Sequence, residues 1–194
     1  RIIPFRGEYY NIKPEKKHLV KGLIYPVPDP KFPFLGVHFT KTVHDGLIEA
    51  GPNAVLGWAR EAYRKINVNP KELIGTLTYP GFIKFALQNW LIGFNEINRS
   101  FRKSVFVKDL QKMIPEIKSE DLDAGGAGVR AQAIGYDGEL IDDFAFEFTD
   151  KSIHVLNAPS PGATSSMVIG KYIANLALEK LSSWLKLGFN IKSY

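Results

Sequence analysis

Three groups of residues in this 194-residue chain have the types and spacing for chemistry. The first is Asn157-Ala158-Pro159-Ser160-Pro161-Gly162-Ala163-Thr164-Ser165-Ser166, which runs directly into the periodic segment Met167 to Leu187. Two prolines and a glycine fix a loop, and the small hydroxyl residues after them leave backbone N–H groups at the start of a long helix. Such a start attracts negative charge. A capped helix that binds nothing fits the same letters. The second is Arg130, set after Gly128-Val129, whose planar guanidinium suits a carboxylate held by two parallel hydrogen bonds. A structural ion pair with Asp142 or Asp143 is the other role open to it. The third is His38 in Leu35-Gly36-Val37-His38-Phe39-Thr40. On a strand it points to the opposite face from Val37 and Phe39, with an ordinary pKa suited to moving a proton near neutrality, or it is a hydrogen-bonded core histidine.

Composition narrows the classes. The chain is 45% hydrophobic, enough for one buried core, and its net charge of +5 is spread without a Lys/Arg block. That balance points to small acidic ligands or an anionic surface rather than nucleic acid. The absence of cysteine excludes disulfides, thiolate metal sites and Cys nucleophiles within these residues. Histidines 18, 38, 44 and 154 show no ligand spacing on one helix face, so no metal site is expected. The apolar run from Met167 to Leu178 is interrupted by Gly170, Lys171 and Asn175 and is too short for a membrane span. The opening Arg-Ile-Ile-Pro-Phe-Arg-Gly has no initiating Met or signal peptide and reads as the interior of a longer sequence.

The elements that must position these residues follow from local pattern. Ile2 to Ile12 predicts a strand broken at Arg6-Gly7, and His18 to Pro26 a second strand. Pro26 to Pro33 is a rigid loop, and Phe34 to Thr42 with Leu47 to Gly51 predicts a hairpin around His44-Asp45-Gly46. Helices are expected from Pro70 behind an Asn69 cap, from Pro80 to Gly93, over Glu96 to Ser104, and over Val107 to Ile114 before Pro115. Their aromatics read as core. Gly128 to Ala133, Phe144 to Phe148 and His154 to Leu156 predict strands, with Asp137-Gly138 as a turn. No internal repeat or flexible linker is seen.

Several long motifs carry a resemblance. They are Phe5-Arg6-Gly7-Glu8-Tyr9, Ile24-Tyr25-Pro26-Val27-Pro28-Asp29-Pro30, Phe32 to Thr40, Gly51-Pro52-Asn53-Ala54-Val55, Ala127-Gly128-Val129-Arg130-Ala131-Gln132-Ala133, Asp142-Asp143-Phe144 and the Asn157 to Ser166 loop. In this order they resemble the C-terminal half of the L-2-hydroxyglutarate dehydrogenase/oxidase family, flavin enzymes related to D-amino-acid oxidase. The resemblance implies an α+β fold: a mostly antiparallel substrate-binding sheet with packed helices over residues 1–123, then the returning strand and helix of an FAD-binding domain over 124–194. No Gly-X-Gly-X-X-Gly turn follows a strand and opens a helix here, so the Rossmann part is expected in a missing N-terminal half. Gly125-Gly126-Ala127-Gly128 is not that turn, because β-like sequence follows it.

The resemblance implies FAD as cofactor, a small dicarboxylate substrate and hydride transfer from C2 of L-2-hydroxyglutarate, and leaves the electron acceptor undefined. It casts Arg130 as the carboxylate clamp and His38 as the base. Arg6, Tyr9, Thr40 and Asn53 become substrate-binding candidates. Gly128, Asn157, Ala158, Pro159, Ser160, Gly162, Ala163, Thr164 and Ser165 become cofactor-binding candidates, with the helix start toward the flavin pyrimidine ring. Arg6 has the alternative of pairing with Glu8, and Asn53 that of stabilising its own turn. Tyr9 and Tyr10 alternate, so only one can face a site. A mitochondrial location is implied in a eukaryote, a cytoplasmic or membrane-peripheral one in a bacterium. Two other readings stay open: a cofactor-free fragment or interaction module, and a related flavin oxidase acting on another hydroxy or amino acid.

Overall fold

The computed structural model of the protein describes residues 1–27, 36–43, 45–149, 152–158 and 161–189, with 182–189 as backbone only. The fold is α+β with antiparallel sheets, as expected. The chain divides into two compact units, Arg1–Leu140 and Ile141–Tyr194.

The first unit is built on strand β1 (Ile2–Ile12) and strand β5 (Leu122–Ile134), which run antiparallel from Ile2 opposite Ala133 to Ile12 opposite Leu122. The short strands β2 (His38–Lys41), β3 (Ile48–Gly51) and β4 (Val55–Leu56) complete one side, and β6 (Leu140–Ile141) pairs beyond β5. The division between units thus falls after Leu140, whereas the expectation placed it after Asp123. A boundary at Asp123 would separate β5 from the strand it pairs with along nearly its whole length.

Strand β1 is not broken at Arg6-Gly7. Gly7 stays in the ladder opposite Gly128, and its missing side chain is a slot: a Cβ there would lie 2.7 Å from Cβ of Pro52. The irregularity comes later. Glu8 pairs with Ala127 and Tyr10 with Ala124, so Gly125 and Gly126 together stand against Tyr9 as a bulge. A Cβ on Gly125 would sit 2.7 Å from the Tyr9 carbonyl oxygen, which is why glycine is needed at that approach.

The second expected strand is also corrected. Pro14 opens a 3-10 helix over Pro14–Leu19, and only Ile24 reaches the sheet, through a single bridge to Phe39. Proline at the first helical position sets φ for the turn, and Val20 then drops into the core at the helix end. The hairpin is present but shorter than expected, β2 with β3; Thr42 N–H donates to the Leu47 carbonyl at 2.8 Å, and Gly46 takes a φ of 61°. His44 and residues 28–33 of the proline loop lie outside the described residues.

Helix α1 (Pro70–Leu77) begins where expected: the Asn69 side chain accepts from Glu72 N–H at 3.3 Å. The segment from Pro80 is two helices, α2 (Pro80–Gln88) and α3 (Trp90–Phe101). They part at Asn89, whose side-chain amide donates to the Phe85 carbonyl at 2.9 Å and closes the first helix. Extended Arg102 ends α3, and α4 (Lys103–Leu110) starts earlier than the pattern suggested.

Two buried clusters result. Phe106, Val107 and Leu110 of α4 pack with Ile12, Phe39, Ile48, Ala50, Ile117 and Leu122. Phe85 of α2 meets Phe5 edge-on at 6.0 Å beside Ile3 and Ile134. The α3–α4 pair is tied by Arg99, which bonds Asp109 at 2.6 Å and also pairs with Glu96.

In the second unit, β7 (Ala145–Phe148) and β8 (Ile153–Asn157) form a hairpin, followed by α5 (Ser166–Phe189). Phe144, Phe146 and Tyr172 stack against one another, with centroids 5.0 to 6.1 Å apart. Among the described residues no helix is long and apolar enough to cross a membrane, and no group of three or more His, Asp or Glu could hold a metal.

Leu110 is fully buried in the larger cluster. Leu110→Ala is expected to lower unfolding free energy by about 2 to 5 kcal/mol, through lost transfer energy and the cavity left behind. Denaturant unfolding checks this, the midpoint falling with an unchanged slope.

Candidate active site

The sheet, in the order β2-β3-β1-β5, carries a cleft of about 350 Å³ in the first unit, lined by Phe5, Gly7, Tyr9, His38, Pro52, Asn53, Ala54, Gly128, Val129 and Arg130. Strand alternation explains who faces it. Phe5 is opposite Arg130 and Gly7 opposite Gly128, and opposed residues on an antiparallel pair share a face. Tyr9 follows at the bulge. Tyr10 turns the other way and packs on Phe106 with ring centroids 4.9 Å apart. The volume is that of a small-molecule site.

His38 reaches the cleft because its neighbours Val37 and Phe39 are buried in the core and the strand alternates. Its Nδ1 lies 3.1 Å from the Gly36 carbonyl oxygen. A carbonyl can only accept, so Nδ1 carries the proton and Nε2 of the neutral ring keeps a lone pair. Burial holds the His38 pKa below the ordinary imidazole value, with the Gly36 hydrogen bond opposing that shift in part. The ring is therefore neutral at pH 7 and able to accept a proton. Tyr9 shifts the other way: burial first, then the charge of Glu49 and the neighbouring Tyr25, push its phenol upward, so it remains a donor.

Arg130, an exposed residue, lines the same cleft. Gly126 and Gly128 on β5 have open space where a Cβ would stand, with nothing within 4 Å. This bare strand face lets a flat ring come close to the backbone, so the residues fit the ring end of a flavin. The Gly125–Gly128 run itself lies inside β5 and not at a strand-to-helix turn, so it is not a pyrophosphate cradle.

Asn53 lines the cleft, but its amide is committed elsewhere. Its Oδ1 accepts from Glu8 N–H at 2.8 Å and its Nδ2 donates to Glu8 Oε2 at 2.9 Å. Glu8 also pairs with Arg6 at 3.1 Å and Lys65 at 3.6 Å. Arg6, buried and absent from the cleft wall, belongs to this cluster. Ala54 N–H donates to Glu96 Oε2 at 2.8 Å, fixing the other end of the turn to α3. Thr40 does not line the cleft either; its Oγ1 is 3.4 Å from the Tyr25 hydroxyl. Sequence reading missed Glu8 as the hub and Tyr25 as a neighbour of His38. Only the alternation of Arg6 and Glu8 on one strand signalled the first, and nothing local signalled the second.

In the second unit, Asn157 Nδ2 donates to the carbonyls of Ile141 at 3.1 Å and Asp143 at 2.8 Å, which fixes the path of the chain before the hairpin. Helix α5 starts at Ser166, one residue earlier than expected, with no acidic residue in its first turn. Gly162, Ala163 and Thr164 are exposed in the preceding turn, Ser165 is partly buried, and Ala158 is exposed. Pro159 and Ser160 lie outside the described residues.

The cleft thus brings a neutral histidine, an arginine and a bare glycine face together on one sheet wall. Residues 1–176 match the family described as FAD dependent oxidoreductase, and the chain belongs to that family. It is 56% identical over 180 residues to the L-2-hydroxyglutarate dehydrogenase of Indibacter alkaliphilus, covering 93% of this chain and 45% of that protein. The mitochondrial L-2-hydroxyglutarate dehydrogenases of Mus musculus and Homo sapiens are each 49% identical, over 93% and 90% of this chain and 40% and 39% of their own length. The chain thus spans less than half the length of these relatives.

Removing the Glu8 carboxylate would leave Arg6 buried without its partner. Glu8→Ala is expected to destabilise the protein by about 3 to 5 kcal/mol, well beyond a surface ion pair. Thermal and denaturant unfolding measure it, and a loss under about 1 kcal/mol would mean the cluster is merely a surface pair.

Proposed function

We propose that the whole protein, of which this chain matches less than half of each relative, oxidises L-2-hydroxyglutarate to 2-oxoglutarate with FAD, and that the cleft of the first unit receives the substrate. The observation that carries this is the convergence of His38, Arg130 and Tyr9 on one small cleft beside the open face of Gly128. The relatives' names supply the substrate. When bound, FAD supplies the two-electron acceptor for the hydride at C2.

The residues of this chain do the rest. Arg130 holds a substrate carboxylate through its forked N–H groups, which sets the C2 hydroxyl against the histidine. His38 Nε2 takes the hydroxyl proton, while Nδ1 stays donated to the Gly36 carbonyl. Tyr9 donates a hydrogen bond from its protonated phenol to a substrate oxygen. Gly128 gives the flavin ring room. In the second unit, the start of α5 has no acid in its first turn and favours negative charge there. Arg6, Asn53 and Glu8 hold the wall in place rather than touching substrate.

The contacts of residues 124–140 with the first unit support taking the flavin-domain return as the second unit, from Ile141 onward. The mitochondrial names of the mouse and human relatives support a mitochondrial location for a eukaryotic source; for a bacterial source the reading is cytoplasmic or membrane-peripheral.

Two substitutions in the intact flavoenzyme separate these roles. His38→Gln should slow flavin reduction by L-2-hydroxyglutarate about 10²-fold or more, with a smaller change in substrate affinity, measured by stopped flow. In the parent the acid limb of that rate should lie below pH 6.5, because burial lowers the His38 pKa and the base stays unprotonated further into acid. A rate within a few-fold of the parent rejects His38 as base.

Arg130→Lys keeps the charge and loses the fork. Substrate binding should weaken by roughly 1.5 to 3 kcal/mol with the melting temperature nearly unchanged. Unchanged affinity with a clearly lower melting point would make Arg130 a structural ion pair.

A further inference from the structure

The His38 imidazole is gripped from outside the cleft as well as from its own strand. Its Nδ1–H donates to the Gly36 carbonyl, and the ring of Tyr25 stacks on it with centroids 4.3 Å apart and planes 25° from parallel. We propose that Tyr25 is a positioning residue for the reaction, its ring setting the plane of the His38 imidazole so that Nε2 opens on the cleft. This rests on the reading of His38 as proton acceptor.

A single hydrogen bond fixes the tautomer and one point of the ring, and leaves the imidazole free to swing about the bond axis. A flat face in van der Waals contact removes that freedom. Tyr25 can do so because it is itself anchored. The preceding residue, Ile24, exchanges two backbone hydrogen bonds with Phe39, at 3.0 and 2.9 Å, and Phe39 is the residue that follows His38. The Tyr25 hydroxyl reaches Thr40 Oγ1 at 3.4 Å on the same strand. Thus the backbone bridge and the hydroxyl both register Tyr25 to β2, at the two residues that follow His38.

Core packing does not account for the arrangement, since Tyr25 is 47% exposed. Its covered face lies on His38. The stack also shields the imidazole from water, which favours the neutral ring. Among the described residues, the titratable or charged groups that share the cleft wall with His38 are Tyr9 and Arg130, and Glu49 on β3 acts on Tyr9. Near-attack geometry is sensitive to about 1 Å, so a ring free to rotate costs rate far more than affinity.

The test uses the intact flavoenzyme with Tyr25→Ala, Tyr25→Phe and His38→Gln. In proton NMR the His38 Hε1 signal is assigned by its loss in His38→Gln. A stacked aromatic ring shields that proton, so Tyr25→Ala should move it downfield and Tyr25→Phe should leave it near the parent position. In stopped flow, Tyr25→Ala should cut the limiting rate of flavin reduction by about 10-fold or more, with substrate affinity within about 3-fold. Better solvation of the bared imidazole raises its pKa, so the acid limb should move to higher pH. Tyr25→Phe keeps the ring and should recover the rate to within about 3-fold. An unmoved His38 signal in Tyr25→Ala overturns the stack, and a limiting rate and acid limb like the parent's overturn its purpose. If His38→Gln alone leaves the rate near the parent's, the reading of His38 fails and the positioning role falls with it; a moved signal would then show a stack without a catalytic purpose.

Discussion

The long antiparallel pairing of β1 with β5 is the constraint on which the cleft depends. It sets Phe5 against Arg130 and Gly7 against Gly128, and so decides in one register which side chains share a face. A slip of one residue in β1 would turn Phe5 and Gly7 away from the cleft and bring Arg6 and Glu8 into it. Two glycine contacts pin that register. Pro52 occupies the space a Gly7 side chain would take, and the Tyr9 carbonyl crowds Gly125 at the bulge. The bulge also gives Tyr9 its place in the wall without shifting the pairing below it.

A buried polar cluster carries the same constraint across to the loop after β3. Glu8 accepts from Asn53 and pairs with Arg6 and Lys65, so each charge removed from water has an opposite partner at hand. The Arg6 and Glu8 side chains alternate with Phe5 and Gly7 along β1 and so point to its other face. The cluster therefore shapes the cleft from behind, holding Pro52 and Asn53 where they form the wall. Arg99, bonded to Asp109 and Glu96, links α3 to α4, and Glu96 receives the Ala54 N–H. The turn that carries Asn53 is thus tied to the sheet at one end and to the helices at the other.

Much of the architecture was legible locally. The Asn69-Pro70 helix start, the Asp137-Gly138 turn, the β1 strand, the second half of β5 from Gly128 and the long final helix follow from caps, turn residues and periodicity, which act over a few residues. The errors share a cause. Leu19, Val20 and Leu23 look β-compatible, but whether such residues form a strand depends on a free sheet edge, and Pro14 had already set a helical turn. Gly7 looked like a break because a glycine in a strand is ambiguous between an interruption and a close approach. Arg6 looked like a ligand for the cleft, but the alternation of β1 sends it to the Glu8 side.

By itself the sequence determined the class of the fold, the family pattern and the face to which His38 turns, since strand period and cap chemistry are written in adjacent residues. The tertiary structure decided which of the candidate residues meet. His38, Arg130, Tyr9 and Asn53 come from four different stretches of chain and converge only when β1 is flanked by β5 and β3. The partners that hold them, Glu8 for Asn53 and Tyr25 for His38, were invisible for the same reason. A contact between residues many positions apart is set by sheet register and loop closure, which belong to the folded chain as a whole and to no local pattern in it.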